Sequence, residues 1–189
     1  MPYTKAGISC AMDGGAMLLY HGSSVRIERP LVEMNAGLSD LGQGFYCTDD
    51  FDVAMSRARS RARRNHAGEG VVTGFSFDEE SLPWVTVGET IDTPSGLQGS
   101  FGLRFDLSHK GLASWIAYIQ SCRRGDTAVE GMGEPAVVRA WIANEIVEMA
   151  CTGVVPTYEL VEFIDPDELV VQYCFRDQAF LDAHLIPKP

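Results

Sequence analysis

Apolar positions along the chain fall into short runs of mixed period. Residues 16–20 (AMLLY) form a brief apolar run after the Gly14-Gly15 break and read as a buried strand. Residues 44–48 (GFYCT) make a second short strand, rich in aromatic and β-favouring side chains. Asp49 and Asp50 then supply a helix start, and good helix formers continue over 51–64. Residues 71–77 (VVTGFSF) read as a strand, whereas 89–109 carry four glycines or prolines and predict irregular structure with at most one strand. Leu112, Trp115, Ile116 and Ile119 recur at helical spacing and should line one buried face. A loop over 125–134 precedes a strand over 136–143. Pro156 suits the first turn of a helix over 157–164. Residues 169–175 (LVVQYCF) give the strongest strand signal, and 177–185 a closing helix. The mixture predicts an α+β fold, read as a single domain over 1–189 with its core in 17–185.

Composition fits an ordinary folded protein of 189 residues, 46% apolar and 22% charged. The charge changes the picture more. A net charge of −11 disfavours indiscriminate nucleic-acid binding. It is also uneven, because from Ile142 onward two basic residues face nine acidic ones. In contrast, Arg57, Arg59, Arg61, Arg63 and Arg64 crowd into eight residues. At about 100° per residue, Arg57, Arg61 and Arg64 share one helix face and Arg59 and Arg63 lie opposite. Such a helix is either simply solvated or clamps phosphates, those of a dinucleotide or of an acidic or nucleic-acid target.

Five scattered cysteines (Cys10, Cys47, Cys122, Cys151, Cys174) with no Cys-x-x-Cys pair argue against a disulfide framework or structural zinc. Together with an N-terminus that lacks a signal-peptide pattern, they suggest a cytoplasmic protein, with signal-independent export left open. No stretch reaches the length of a membrane span. The four histidines show no metal-ligand spacing, Gly42-Gln43-Gly44 is not a dinucleotide fingerprint, and no Walker loop occurs. Ser100 misses the nucleophile elbow because Gln98 stands where its first glycine should be. Trp115 and Trp141 read as core residues.

Two segments carry candidate chemistry. In Tyr20-His21-Gly22-Ser23, a histidine at a strand end can present its ring to a ligand, and Gly22 lets another backbone come close. In Gly42-Gln43-Gly44-Phe45-Tyr46-Cys47-Thr48-Asp49, an aromatic pair sits on a glycine-flanked strand that leads into a helix with Ala54 and Ala58. Each taken alone has a plain structural reading, as a strand-to-turn junction and as core. In order, the pair resembles the ADP-ribosyltransferase superfamily, on the branch of diphtheria toxin and the poly(ADP-ribose) polymerases. Within it the chain most resembles a bacterial family of uncharacterised domains. The further matching segments are 115–123, 137–145 and 172–175, so the likeness spans about 17–185.

The resemblance implies split mixed β-sheets with flanking helices around a cleft that takes NAD⁺ as substrate and no metal. Carried over, it implies that His21 bonds the adenosine-side ribose, Gly22 pairs with the nicotinamide carboxamide, and Tyr46 stacks on the nicotinamide ring. Ser23, Phe45 and Arg57 would complete the NAD-binding set. The third catalytic position falls at Gln172, where many members carry Glu. Arg57 stands where the polymerases have a second stacking Tyr, and Ala54 where they have a small hydroxyl residue.

Cleaving the glycosidic bond of NAD⁺ develops positive charge on the ribose, so the site must hold both ends of the molecule and support that charge. A glutamine can accept a hydroxyl hydrogen bond but cannot act as a base, a contribution of typically ~10²–10⁴-fold. The expectation is therefore a mono-ADP-ribosyltransferase acting on a macromolecular acceptor, protein or nucleic acid, rather than a polymerase. Glu168, four residues before Gln172, would share its strand face and offer a carboxylate, or else is a solvated residue at a strand start. Two rival expectations remain. One is a non-catalytic module that holds NAD or ADP-ribose, and the other a toxin–antitoxin or effector-type interaction protein whose acidic region binds a basic partner or antitoxin.

Overall fold

The computed structural model describes residues 15–32, 39–142, 144–153 and 155–189. Cys10, Ala143 and the side chain of Asn144, which bear on sequence expectations, lie outside the described set. The chain runs β1 (Met17–Ser23), β2 (Phe45–Thr48), α1 (Phe51–Arg64), β3 (Val71–Phe77), β4 (Trp84–Val87), β5 (Ile91–Asp92), β6 (Gly102–Phe105) and α2 (His109–Arg123). It continues through β7 (Val137–Ile142), α3 (Asn144–Thr152), α4 (Thr157–Leu160), β8 (Val170–Phe175), α5 (Gln178–His184) and β9 (Leu185–Pro187). Nine strands form one mixed sheet in the order β5-β4-β6-β7-β8-β2-β1-β3-β9. The β4/β6 and β6/β7 pairs are parallel and all others antiparallel.

The expected α+β class is what the chain adopts, but its strands form one hydrogen-bonded sheet rather than two separate ones. A trace of a split remains at one seam. Strands β1 and β2 share a single registered pair, Tyr20 with Thr48, whereas β1 and β3 pair along seven residues. The sheet is therefore weakest where the His-Gly and Phe-Tyr segments meet.

Two apolar clusters cover the sheet. One gathers Trp115, Ile116 and Ile119 of α2 with Leu103, Val138 and Trp141, so the helical spacing of α2 does bury one face and both tryptophans are core. The other holds Leu19, Phe45, Phe75, Phe77, Tyr173 and Phe175 around the β1–β3 half. Alternation along β8 sends Tyr173 and Phe175 to the second cluster and Cys174 to the first, as a period of two requires.

Helix α1 starts where expected, with the Asp50 carboxylate accepting from the Val53 N–H. Its buried seam is Ala54, Ala58 and Ala62. A side chain at Gly22 would collide with the Ala54 carbonyl oxygen, and one at Gly70 with the backbone of Ala58 and Arg59. Small residues on both sides thus let α1 lie almost in backbone contact with β1 and the start of β3.

Several local expectations need correction. The region 89–109 is more ordered than its glycines and prolines suggest, since both β5 and β6 form there, and β4 just before it has no counterpart among the expected elements. Parallel pairing of β6 between β4 and β7 fixes what local propensity left open. Helix α3 has no counterpart among the expected elements, and the helix expected over 157–164 is one α-turn followed by a 3-10 turn over Val161–Phe163. Glu168 does not lie on β8. It closes the 3-10 turn Pro166–Glu168, capped by the Asp165 carboxylate, and is exposed.

Candidate functional site

Where the β1/β2 ladder ends, a side chain takes over. The His21 ring, 4% exposed, donates from Nδ1 to the Tyr46 carbonyl at 2.6 Å. The acceptor is a carbonyl, so Nδ1 must carry the proton and Nε2 is left as a bare lone pair. Nε2 is buried and has no hydrogen-bond partner among the described residues. Burial pushes the His21 pKa down to about 4; the Tyr46 bond opposes this, and Arg61 and Arg57 add to it. At neutral pH the ring is therefore uncharged, with a fixed tautomer and an acceptor nitrogen.

Strand pleat assembles the second group. Register places Tyr46 opposite Cys174 and Thr48 opposite Gln172, so these four side chains share one face of the β2/β8 pair. The Tyr46 hydroxyl donates to the Gly42 carbonyl at 2.6 Å and accepts from the Leu41 N–H at 3.1 Å. Burial raises its pKa far above the ordinary tyrosine value. With its hydroxyl tied down, Tyr46 has its ring left to offer a ligand. Gln172, 5% exposed, donates from Nε2 to the Trp141 carbonyl at 2.9 Å. Only an NH₂ group can make that bond, so the amide orientation is fixed and Oε1 is its remaining, accepting end.

One cavity collects these groups. His21, Gly22, Tyr46, Thr48, Arg57, Arg61 and Gln172 line it, with Tyr20, Cys47, Ala54 and Ile142, and among the described residues no acidic one takes part. In a protein of net charge −11 this is a locally basic place. Its enclosed volume is about 30 Å³, enough for one or two waters.

Of the residues singled out in the sequence, His21, Gly22, Tyr46, Arg57 and Gln172 thus converge. Two do not line the cavity. Phe45 is a core residue 1% exposed, and the His21 ring lies on it with centroids 4.4 Å apart. Ser23 is buried and pairs with Val71 at the end of β1. Phe45 therefore supports the site from beneath. Sequence reasoning passed over Thr48 and placed Arg61 on the candidate phosphate-facing flank without including it in the NAD-binding set, although signals for both exist. Thr48 follows Tyr46 by two residues on a strand, and Arg61 follows Arg57 by one helical turn.

Residues 17–92 are similar to a family described as protein of unknown function, DUF3990. The matched stretch runs from β1 to β5 and holds His21, Gly22, Tyr46 and Arg57 but not Gln172. No curated protein and no solved structure matches the chain. Among the described residues no group of three or more potential ligands could hold a metal ion, and no helix is long and apolar enough to cross a membrane.

Proposed function

We propose that the chain is a mono-ADP-ribosyltransferase, of the superfamily its motifs resemble, that takes NAD⁺ as substrate and moves its ADP-ribose to a macromolecule. NAD⁺ supplies a ribose whose bond to nicotinamide breaks, the nicotinamide leaving with the bonding pair. The observation that carries the reading is a cavity with no acid among its described lining, in which a neutral His21, its Nε2 a buried and unpartnered acceptor, lies beside two arginines.

The residues present fit such a substrate. His21 Nε2 accepts from a ribose hydroxyl, and the Tyr46 ring offers a face to the planar nicotinamide. Arg57 and Arg61 oppose the diphosphate. Gln172 accepts a second ribose hydroxyl through Oε1, and its carbonyl dipole supports positive charge more weakly than a carboxylate would. The enclosed space is smaller than a dinucleotide. Entry therefore needs lining side chains to move aside, and an exposed one such as Arg57 rotates on the ps–ns scale. The scattered cysteines favour a cytoplasmic setting for this activity.

A second reading, NAD or ADP-ribose binding without turnover, is favoured by one observation: among the described residues no carboxylate lines the cavity, and Glu168 is exposed on a turn outside β8. Incubation with adenylate-labelled NAD⁺ and cell lysate separates the two. Transfer predicts nicotinamide release and a labelled macromolecule, both lost in His21→Ala. Binding alone predicts an NAD⁺-dependent rise in Tm with no release. Release that persists undiminished in His21→Ala would overturn the site. The rival reading, an interaction protein for a basic partner or antitoxin, rests on a different part of the chain. Residues 144–168 hold seven acidic and no basic residues, and Tyr158 and Phe163 on that stretch are 63% and 72% exposed.

A further inference from the structure

Helix α1 carries its arginines on two flanks of the alanine seam, and only one flank faces the His21 cavity. On the other flank Arg59 and Arg63 line a separate groove of about 420 Å³, with Ala62, Gly68, Glu69 and Gly70. The groove is of a size that small ligands occupy. Outside α1, four arginines find acids: Arg29 meets Asp182, Arg123 meets Asp40, Arg139 meets Glu79 and Arg176 meets Glu134. Arg26, Arg104 and Arg124 do not among the described residues, and none of these three lines a groove of this size. Arg59 and Arg63 make no ion pair with any described residue, in a chain holding 26 carboxylates. Two unpaired cations one helical turn apart beside a groove are thus available to an external anion.

We propose that this groove binds a phosphate-bearing nucleotide unit of a nucleic-acid strand. Planar guanidinium forks match phosphate oxygens bidentately. No atom outside its immediate chain neighbours stands near the side-chain direction of Gly68, so a ligand can approach the backbone there. Glu69 decides between polyanions. A nucleotide gives phosphate to the arginines and hydroxyl or amino donors to the carboxylate, whereas an acidic peptide sets further negative charge against it. A helix with its side chains is about 10 Å across, so a strand held in the groove passes within reach of the arginines on the opposite flank. That this strand is the ADP-ribose acceptor rests on the transfer reading above; that it binds does not.

The test is fluorescence anisotropy of the full chain, without NAD⁺, against a labelled single-stranded oligonucleotide of about 12 nucleotides. R59A/R63A should bind about tenfold more weakly, with a salt dependence shallower by about 1.4 in slope for two lost phosphate contacts on a single strand. The charge-matched double variant K110A/R124A, on α2 and its C-cap, which pack against β4, β6, α3 and α4 and do not line the groove, should bind as the wild type does. Both pairs are exposed, and an unchanged Tm confirms folding. No oligonucleotide binding at 0.1 M salt would overturn the assignment. So would equal binding by R59A/R63A, an equal loss in K110A/R124A, or poly-glutamate binding as tightly as the oligonucleotide. Because NAD⁺ is absent, the outcome is independent of whether the His21 cavity supports turnover.

Discussion

The ring of His21 lies on the ring of Phe45, centroids 4.4 Å apart and planes 20° apart, and hydrogen-bonds the carbonyl of the next residue, Tyr46. A histidine held from below and at one edge has neither rotational nor tautomeric freedom, and its remaining nitrogen is aimed by the fold.

That arrangement makes stability depend on pH in a defined window. The folded-state pKa of about 4 lies below the ordinary 6.5, so between these values the unfolded chain binds more protons. His21 should therefore cost nothing above pH 6.5 and remove about 3 kcal/mol of stability as pH falls to 4. Urea unfolding across this range should show the slope, and His21→Phe, which keeps the stacked ring but cannot titrate, should flatten it.

Gly22 has a packing reason for being glycine. Its added methyl would meet the Ala54 carbonyl oxygen, a backbone atom that cannot turn aside. Gly22→Ala should lose about 1–3 kcal/mol in chemical denaturation. Adding Ala54→Gly should give no rescue, because the obstacle is not a side chain. Loss of NAD⁺ binding in Gly22→Ala would consequently say little about contact with the ligand.

Tyr46 can be divided into hydroxyl and ring. Tyr46→Phe strands the Leu41 N–H and the Gly42 carbonyl and should cost about 1–3 kcal/mol. Under the proposed function it keeps the NAD⁺-dependent rise in Tm, whereas Tyr46→Ala loses it. Equal ligand loss in both variants would assign the hydroxyl, not the ring, to binding.

At Gln172 the amide has a structural duty. In Gln172→Glu an ionised carboxylate would face the Trp141 carbonyl inside the sheet, with no donor to offer it. A protonated carboxyl can still donate there, so its folded pKa is raised above the ordinary range. The variant should approach wild-type stability at pH 4–5 and lose about 3 kcal/mol or more as pH rises to 8, read by urea titration at the two ends.

Much of the site was legible because its parts lie in short contiguous segments. Tyr20 to Ser23 and Gly42 to Asp49 announce themselves by residue type, and the Asp50 cap and arginine spacing follow from local rules. Phe45 shows the limit. Its place beside Tyr46 suggests a shared role, yet strand alternation sends the two rings to opposite faces, one to core and one to cavity. Glu168 shows another: spacing of four puts it on the face of Gln172 only if the strand extends that far, and the Asp165 cap and Pro166 turn the chain beforehand.

The sequence by itself determined the α+β class, the starts of α1 and α5, the buried face of α2 and the separation of the arginines into two flanks. These depend on period and capping, which act over a few residues. Tertiary structure alone decided that β4, β5 and β6 form, that β1 and β2 part after one registered pair, and that His21 is neutral with a buried, unpartnered Nε2 beside the cavity lining. Strand pairing joins residues more than a hundred positions apart, and desolvation depends on everything packed around a group. Neither quantity is written in the local order of residues.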